Sequence, residues 1–554
     1  MHFQGLPQVL RLSPLLLGGA LAGLASATTQ SAESEIQWKK CEGVIGRVVA
    51  TGLFPPIPVE CSNLTVPIDY SEPDNGTFEL PLIRMPALKQ PSKGSIIVHF
   101  GGPAPLQTTT LVTLGEQMLL LTGQGYDLVS WDQRGTQGTA LELSCFNTTR
   151  ERELWNANTG GITALTTEDK LAFGRSWVLA EKHAQICADN NEGKRMDVIG
   201  TVDTVRDVMS IVDALGGDRR VRFYGISYGT IVGATLGAMF PDRIERLVLD
   251  GVSNIHQWWA GEFWEMQTDS DKVLAGFVRT CFEKPELCPL AAANPNSTAE
   301  HMTEKIYEMM EELKFNPIPI LDDSIPGVHM IDDGFVKSMM RGPLYNAAGY
   351  PTLAALVHLL MIRDLEKFIP IYNEANPVTE YGDSSMGITC SDTTFRAETV
   401  EDALPRIEKN IEISRFIGDM MHTGVALCSQ WKLPLKERFT RGFHEPVELQ
   451  TPPLLIGNEY DVVTPHVSAV NASASFPGSS VVKFNTFGHG IQSQPSLCTA
   501  NIVREYFENG KLPEDGTVCE PAAHPWENTK WDPLFKELDY VRPSNGTGSN
   551  STAA

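Results

Sequence analysis

Residues 221–238 read VRFYGISYGTIVGATLGA. A strand-like run at 221–224 gives way to GISYG at 225–229, and the small residues that follow favour a helix. A strand that turns this sharply into a helix needs glycine on both sides of the serine, because side chains there would collide with the crossing backbone. Such a turn holds a hydroxyl at the strand's C-terminal end, near the positive end of the next helix. We therefore predict that Ser227 is a catalytic nucleophile.

Strand-like and helix-like segments alternate in two regions on either side of a long interruption. The predicted strands are 95–100, 126–131, 221–224 and 246–251 before the interruption, and 453–457 and 480–484 after it. A helix is predicted from Thr201, where apolar residues recur at the spacing of one helical face. This order predicts an α/β fold with a mostly parallel sheet flanked by helices, and with its chemistry at the rim where the strands end.

A serine hydroxyl requires a base, and the base requires a group that orients it and stabilises its charged form. In α/β hydrolases these partners follow the serine in the order acid, then histidine. Asp461 comes just after the strand at 453–457, and His489 comes after the last strand-like run, between two glycines. The sequence therefore predicts a triad of Ser227, Asp461 and His489 on an α/β-hydrolase fold.

Other acids and histidines compete for these roles. Asp250 also ends a strand, but its position directly after the elbow unit and before a glycine favours a structural turn, and Glu459 is a weaker candidate. The histidines that we expect to be packed or surface residues are His99, His256, His422, His444 and His466.

An oxyanion hole needs two backbone N–H donors aimed at the developing negative charge. Tyr228, the residue after the nucleophile, supplies one donor in this pattern. The glycine pair after the strand at 95–100 is expected to supply the other, and we favour Gly102. A simple glycine turn is the alternative reading of that pair.

The chain divides into five predicted parts. They are a signal peptide at 1–27, the first part of the hydrolase core at 28–252, a cap or lid insertion at 253–445, the C-terminal part of the core at 446–540, and a disordered tail at 541–554. The insertion is predicted to be mostly helical because aromatic and Met-rich helical segments, such as 302–313 and 353–364, replace the alternating pattern.

The first thirty residues carry Arg11, an apolar run that ends at Leu24, and the small residues at 25–27. These are the three regions of a secretory signal peptide, and we predict cleavage after Ala27. No second apolar run of roughly 18 residues follows, so the mature protein is expected to be secreted, extracellular and off the membrane.

The 68 acidic and 44 basic residues give a formal net charge of −24. A surface this acidic repels nucleic acid and anionic membranes, so neither is expected as a partner. The expected partner is a peptide or a small ester or amide substrate. Nothing in the sequence indicates a cofactor, a metal or an oligomeric state.

An even number of cysteines, ten, fits an oxidising compartment. The simplest arrangement joins sequence neighbours, with nested pairings left open: Cys41 with Cys61, Cys145 with Cys187, Cys281 with Cys288, Cys390 with Cys428, and Cys498 with Cys519. No couple has C-x-x-C spacing near a histidine, so a zinc site is not expected. Sequons for N-linked glycans occur at Asn63, Asn75, Asn147, Asn296, Asn471, Asn545 and Asn550.

Taken together, these residues give a chain that resembles secreted α/β hydrolases of the tripeptidyl aminopeptidase family, which is related to the proline iminopeptidases. The matching segments span most of the mature chain: IQWKKC at 36–41, EC at 60–61, VPIDY at 66–70, DQRGT at 132–136, GISYGT at 225–230, YFENGKLP at 506–513 and GTVC at 516–519. One departure is HFGGPA at 99–104, where the family usually has N-P-G-G-P-G. The glycine pair survives there, but its neighbours differ.

The resemblance implies a hydrolase core with a mostly helical cap, a triad at Ser227, Asp461 and His489, and release of short peptides, tripeptides, from free N-termini. An aminopeptidase must also bind the substrate ammonium, and the cap residues Glu262 and Glu265 are candidates. The alternative is a secreted carboxylesterase or small-metabolite hydrolase, since one triad serves esters and amides and the fold does not fix the substrate.

Overall fold

The computed structural model describes residues 36–43, 58–103, 107–159, 170–321, 324–325, 328–376, 383–527 and 530–541. The predicted signal peptide, the predicted tail beyond Val541, and the sequons at Asn545 and Asn550 lie outside these ranges. The domain boundaries given above therefore stay predictions at both ends.

A ten-stranded sheet is the centre of the described chain, and its strands lie in the order β1-β2-β3-β5-β4-β6-β7-β10-β11-β12. The strands are β1 Lys39–Lys40, β2 Glu60–Pro67, β3 Thr77–Met85, β4 Ser95–His99, β5 Asp127–Trp131, β6 Val221–Ile226, β7 Ile244–Asp250, β8 Ile318–Pro319, β9 Met330–Ile331, β10 Leu454–Tyr460, β11 Ser480–Phe487 and β12 Val518–Cys519. Pairing is antiparallel from β1 to β5 and parallel from β5 to β12, while β8 and β9 form a separate antiparallel pair. This is the α/β-hydrolase fold, as predicted.

Both faces of the sheet are covered, and this explains the apolar runs of its strands. In β6 every residue is buried, with Phe223 in one hydrophobic cluster and the adjacent Tyr224 in another. Successive side chains of a strand point to opposite faces, so the two clusters lie on opposite sides of the sheet. The β2 strand instead alternates between buried and exposed residues, as expected near the edge of the sheet.

The helices surround this sheet and fill the insertion. They are α1 Gln107–Leu121, α2 Thr149–Thr159, α3 Lys170–Asn190, α4 Thr201–Leu215, α5 Tyr228–Met239, α6 Ile255–Ala260, α7 Ser270–Glu283, α8 Pro289–Ala292, α9 Ala299–Phe315, α10 Asp333–Arg341, α11 Tyr350–Met361, α12 Leu365–Ala375, α13 Ser384–Asp392, α14 Val400–Ile413, α15 His422–Ser429, α16 His466–Ser473, α17 Leu497–Asn509 and α18 Asp532–Glu537. The predicted helix from Thr201 and the helix after the GISYG segment are therefore both present, as α4 and α5.

The chain order reverses next to β4, which lies between β5 and β6. The loops after β4 and β6 therefore start next to each other at the same edge of the sheet. From there the chain goes to β5 on one side and to β7 on the other. Such a switch point opens a crevice at the carboxyl ends of the strands. The glycine pair after β4 and Ser227 after β6 both lie at this crevice.

The insertion between β7 and β10 consists of α6 to α15 and the pair of β8 and β9, so the stretch predicted as a cap is mostly helical. Part of it, from Val273 to Ile417, has its own hydrophobic core, and this core also contains Val462 and Phe487. Those two residues neighbour Asp461 and His489 in the chain. The insertion is thus packed against the loops that carry the predicted acid and base.

The ten cysteines form the five predicted sequential disulfides, not nested ones. The Cys281–Cys288 bond joins the end of α7 to the residue before α8. None of the helices in the described ranges has the length and apolar character needed to cross a bilayer.

Arg134, in the DQRGT segment, is fully buried together with Asp207 of α4. Its Nε and Nη2 atoms each donate to a different carboxylate oxygen of Asp207, both at 2.7 Å. Its Nη1 atom also donates to the backbone carbonyls of Ile68 and Val198, both at 2.9 Å. This pair therefore joins the loop after β5, the segment after β2 and the helix that precedes the elbow strand.

Replacing Asp207 with alanine should lower the free energy of unfolding by about 3–5 kcal/mol, because Arg134 would remain buried without its counterion. The control is Glu308→Ala, which breaks an exposed pair with Lys305 and should change stability little. Urea unfolding followed by tryptophan fluorescence measures both variants. Equal shifts of the two midpoints would contradict the importance given to the buried pair.

Candidate active site

Ser227 follows β6 directly and precedes the first residue of α5, and its φ of 58° is unusual for a residue with a side chain. A Cβ atom on Gly225 would be only 2.1 Å from the carbonyl oxygen of Gly229, and one on Gly229 only 2.4 Å from the carbonyl oxygen of His99. Both glycines are therefore needed for the turn, as the sequence indicated. The turn is fixed by hydrogen bonds from Ser227 N to the Asp250 carbonyl at 3.0 Å and from Thr230 N to the Ser227 carbonyl at 2.8 Å.

Asp461 and His489, from the loops after β10 and β11, are joined by a hydrogen bond of 2.8 Å between His489 Nδ1 and Asp461 Oδ2. Asp461 is fully buried and also accepts hydrogen bonds from Val463 N, Thr464 N and Thr464 Oγ1. An ionised carboxylate can only accept, so Nδ1 carries the proton of a neutral ring. The Nε2 atom is then left with a free lone pair, as a general base requires.

The His489 ring also lies beside the segment that supports Ser227. A Cβ atom on Gly251 would be 3.2 Å from His489 Cε1, and Gly251 directly follows Asp250, whose carbonyl holds Ser227 N. Ser227 Oγ makes no hydrogen bond with the residues that the structure describes. Bonds between nucleophile and base are often long before substrate binds, so the arrangement is compatible with the predicted triad.

The loop after β4 lies directly against the serine. A Cβ atom on Gly101 would be 2.7 Å from Ser227 Cβ and 3.3 Å from its Oγ. Gly101 N donates to His99 Nδ1 at 3.1 Å, and Gly101 O accepts from Gln107 Nε2 at 2.8 Å. Both backbone groups of Gly101 thus have partners, whereas Gly102 N, the amide predicted as an oxyanion donor, makes no hydrogen bond with the described residues.

The second predicted oxyanion donor is Tyr228 N in the first turn of α5, where backbone N–H groups have no partner within the helix. The Tyr228 side chain is buried, and its hydroxyl is 2.6 Å from Thr201 Oγ1. Thr201 Oγ1 in turn donates to Asp392 at 2.6 Å. These hydrogen bonds fix the side chain of Tyr228, the residue whose backbone N–H is predicted to stabilise the oxyanion.

His99 has a position that the sequence did not reveal. Its ring is fully buried between Trp131 and Tyr228, with centroid distances of 5.2 and 5.5 Å. Burial lowers the His99 pKa to about 4, although the hydrogen bond with Gln133 opposes this. The ring is therefore neutral near pH 7, with Nδ1 accepting from Gly101 N and Nε2 donating to Gln133 Oε1 at 2.6 Å. Its place two residues before the glycine pair was the available signal.

Asp250 was the main alternative to Asp461 as the catalytic acid, but its carboxyl binds other groups than the His489 ring. Its buried carboxyl accepts from Ile491 N at 3.0 Å and from Tyr224 OH at 3.1 Å. Burial raises the Asp250 pKa to about 7, against the lowering effect of these two donors. The side chain therefore fixes the loop that follows His489, while the hydrogen bond to the ring comes from Asp461.

The remaining rivals make contacts of their own. Glu459 pairs with Lys272 and Lys483, His256 lies 3.2 Å from Ser475 Oγ, and His422 Nδ1 lies 2.7 Å from the Asp419 carbonyl. None of these contacts involves Ser227 or Asp461. They fit the expectation that these residues are packed or surface groups.

The two cap glutamates proposed for the substrate ammonium differ in their contacts. Glu265 accepts hydrogen bonds from Asn254 Nδ2, Ser468 Oγ and Asn471 Nδ2 at 2.8, 2.7 and 2.6 Å. Glu262 makes a 3.4 Å contact with Arg406. Glu265 therefore has its oxygens occupied by uncharged donors, whereas Glu262 is held by one long ion pair.

The insertion touches the predicted base directly, which the sequence did not indicate. His489 N donates to the Tyr345 carbonyl at 2.8 Å, and the two rings lie edge to face with centroids 5.2 Å apart. Asn346 also forms an antiparallel bridge with Gly488. The position of the His489 loop therefore depends on the segment between α10 and α11.

Two effects of opposite sign act on His489. Burial lowers its pKa, but the charge and hydrogen bond of Asp461, with a further contribution from Asp250, outweigh burial and raise the pKa above the ordinary histidine value. The ring is thus a stronger base than an isolated imidazole, which favours proton transfer from a serine hydroxyl.

Known proteins match this chain over most of its length. The family described as TAP-like protein matches residues 414–519. The tripeptidyl aminopeptidase of Streptomyces lividans is 24% identical over 523 residues, covering 91% of this chain and 90% of that protein. The serine protease Hip1 of Mycobacterium tuberculosis is 23% identical over 524 residues, covering 87% and 91%. Carboxylesterase B of Mycobacterium tuberculosis is 22% identical over 540 residues, covering 92% and 96%.

These similarities agree with the fold. The chain is a serine hydrolase of the α/β-hydrolase fold that is similar to tripeptidyl aminopeptidases. The site assembled above is the candidate for its chemistry.

Replacing His99 with leucine should lower kcat about 10- to 100-fold with little change in KM, because the Gly101 amide loses its acceptor and Gly102 N is no longer fixed. His99→Asn should recover much of kcat, since asparagine Oδ1 stands where Nδ1 does and accepts the same hydrogen bond. Steady-state kinetics on a chromogenic ester measure both. An asparagine variant no better than leucine, with both folded, would refute this positioning role.

The pH dependence of serine reactivity provides a second test. Because only neutral His489 acts as a base and its pKa is raised, labelling by an organophosphonate should increase with pH, with a midpoint above 6.5. Asp461→Asn should slow labelling and move the midpoint down, since burial then acts without the opposing carboxylate. A midpoint that does not move in this variant would argue against the His489–Asp461 pair.

Proposed function

We propose that this chain is a secreted serine exopeptidase that releases tripeptides from free N-termini. Ser227 is the nucleophile, His489 the general acid and base, and Asp461 the group that orients His489. The observation that carries the proposal is the 2.8 Å hydrogen bond from His489 Nδ1 to Asp461 Oδ2 beside the strained backbone of Ser227.

In the proposed reaction, His489 Nε2 takes the proton of Ser227 Oγ as Oγ bonds to the scissile carbonyl carbon. The carbonyl oxygen becomes an oxyanion that accepts hydrogen bonds from Gly102 N and Tyr228 N. When the C–N bond breaks, His489 gives its proton to the leaving amine, and the acyl group stays on Ser227. Water then attacks the acyl carbon with His489 as base, which releases the acid and restores Ser227.

Secretion and peptide release have separate support. The relatives named tripeptidyl aminopeptidase and serine protease favour a peptidase. The predicted signal peptide and the five disulfides favour an oxidising, extracellular location. For the ammonium of the substrate, Glu262 is the better of the two candidates, because a cation can replace its long contact with Arg406 more readily than the three donors around Glu265.

A secreted chain of this kind could carry N-linked glycans. Asn63, Asn75, Asn147 and Asn296 are exposed, and the Nδ2 atoms of Asn75 and Asn147 make only long contacts, 3.3 Å to Glu72 and 3.2 Å to Asn190. Asn471 is instead half-buried, and its Nδ2 donates to Glu265 at 2.6 Å. The nitrogen that would bear the glycan is thus engaged at Asn471. We propose glycan attachment at the four exposed positions and none at Asn471.

The alternative is a secreted carboxylesterase with the same triad, and the similarity to carboxylesterase B favours it. An ester needs no ammonium site, because the same nucleophile and oxyanion donors suffice. The two proposals therefore differ in what the cap recognises and share the chemistry at Ser227.

Wild-type protein incubated with a library of free-amine peptides should yield tripeptides, read by mass spectrometry, while N-acetylated copies of the same peptides should resist cleavage. Blocking the amine removes the charge that an exopeptidase recognises. Ser227→Ala should reduce hydrolysis to background, whereas Ser473→Ala, a change at the half-buried last residue of α16, should leave it intact.

Each outcome separates the proposals. Cleavage of short acyl esters without cleavage of any peptide would replace the exopeptidase by the esterase. Equal cleavage of acetylated and free peptides would exclude recognition of the amine. Full activity in Ser227→Ala would overturn the catalytic assignment itself.

A further inference from the structure

Arg341, the last residue of α10, carries a charge for which none of the residues that the structure describes provides a counterion. Its side chain is half-buried, and its Nε atom is buried without a hydrogen-bond partner. Among the arginines in the described ranges, only Arg341 and the exposed Arg175 make neither an ion pair nor a hydrogen bond. In a chain with 24 more acidic than basic residues, an unpaired and partly desolvated guanidinium is unexpected.

Other arginines of the insertion show how the charge of such a side chain is normally compensated, even where, as in Arg406, Nε is also buried without a hydrogen-bond partner. Arg406 stacks on Phe395 and pairs with Glu262, and Arg415 stacks on Tyr307 and pairs with Glu304. Each combines an aromatic face with a carboxylate. Arg341 has an aromatic neighbour, Tyr345, at 6.0 Å from its guanidinium carbon to the ring centroid, but no carboxylate among the described residues forms an ion pair with it.

The position of Arg341 connects it to the catalytic site. Tyr345 lies between Arg341 and His489, with its ring 5.2 Å from the imidazole and its carbonyl on His489 N. The positive charge of Arg341 also acts on His489, opposing the rise of its pKa. Arg341 is therefore close enough to His489 for its charge to affect the base.

We propose that Arg341 binds a carboxylate of the substrate on the leaving-group side of the scissile bond. The carboxylate is either the C-terminal group of a short peptide or the side chain of an acidic residue just after that bond. This inference rests on the proposed peptidase function.

Two physical arguments select this ligand. A guanidinium offers a planar fork of donors that matches a carboxylate, and no carboxylate of the described part of the chain pairs with Arg341, so a ligand can supply one. The leaving nitrogen must come within hydrogen-bond reach of His489 Nε2, and each further residue extends a peptide by about 3.3–3.6 Å. Tyr345 lies 5.2 Å from the His489 ring and 6.0 Å from the Arg341 guanidinium, so one or two residues beyond the scissile bond are long enough to extend from His489 toward Arg341.

The test uses one tripeptide acyl group with five leaving groups: aspartyl amide, asparaginyl amide, alanine with a free carboxylate, alanyl amide, and an uncharged aminocoumarin. The full-length mature protein is assayed above the acid limb of its pH profile, so that the effect of Arg341 on His489 does not enter. The variants are Arg341→Gln, Arg341→Lys, and Arg175→Gln as a control that changes the net charge equally from an unpaired arginine elsewhere.

For the two substrates that carry a carboxylate, Arg341→Gln should lower kcat/KM about 10- to 100-fold, mainly by raising KM. For the other three substrates, kcat/KM should stay within about twofold of the wild-type value. Arg341→Lys should recover part of the loss, and Arg175→Gln should change nothing. A loss confined to the aspartyl substrate identifies a side-chain carboxylate, and a loss confined to free alanine identifies the C-terminus.

Two results would overturn this inference. One is an equal loss of kcat/KM on all five substrates in Arg341→Gln. The other is a wild-type enzyme that does not prefer the carboxylate-bearing substrate over its amide partner in either pair. Cleavage of the aminocoumarin substrate shows that the peptidase proposal holds in either case. Failure to cleave any of the five would count against the proposed function instead.

Discussion

The backbone of Ser227 is the constraint on which the rest of the site depends. Its φ of 58° exists only because Gly225 and Gly229 let β6, α5 and the end of β4 approach without side chains between them. A conformation of this kind costs of order 1–3 kcal/mol, and the surrounding contacts must hold it. The buried sheet, the small residues of α5 and the bond from Ser227 N to Asp250 O supply that support.

The loops around Ser227 are held by partners that are distant in the chain. The carbonyl of Asp250 accepts a hydrogen bond from Ser227 N, and its carboxyl accepts one from Ile491 N. One residue therefore links the nucleophile to the loop that carries His489. Gly101 N donates to His99 and Gly101 O accepts from Gln107, so the loop is fixed on both sides of this residue. Gly102 N is the amide of this loop that is predicted to bind a ligand. The insertion adds the Tyr345 contact to His489. A site assembled in this way is preorganised, which is what stabilisation of an oxyanion requires.

Local pattern in the sequence predicted six strands of the sheet, the elbow and the sequential disulfides, but not the strands β1, β2, β3 and β12. Local pattern works where a feature depends on neighbouring residues: apolar runs in β4 and β6, glycines around Ser227, and short cysteine spacings. It was not enough for the contacts of His99, Tyr345 and Glu265. Gln133, His489 and Asn471, their partners, are 34, 144 and 206 residues away in the chain, and such pairs leave no periodic signal. The unpaired charge of Arg341 is visible only when the side chains of the described residues around it have been placed.

The most direct measurement is a crystal structure of the protein after reaction with an organophosphonate. The account predicts phosphorus bonded to Ser227 Oγ, a phosphonyl oxygen about 2.7–3.1 Å from both Gly102 N and Tyr228 N, and His489 Nε2 facing the adduct while Nδ1 stays on Asp461. An adduct on another residue, or a phosphonyl oxygen bound away from both amides with His489 turned from Ser227, would contradict it.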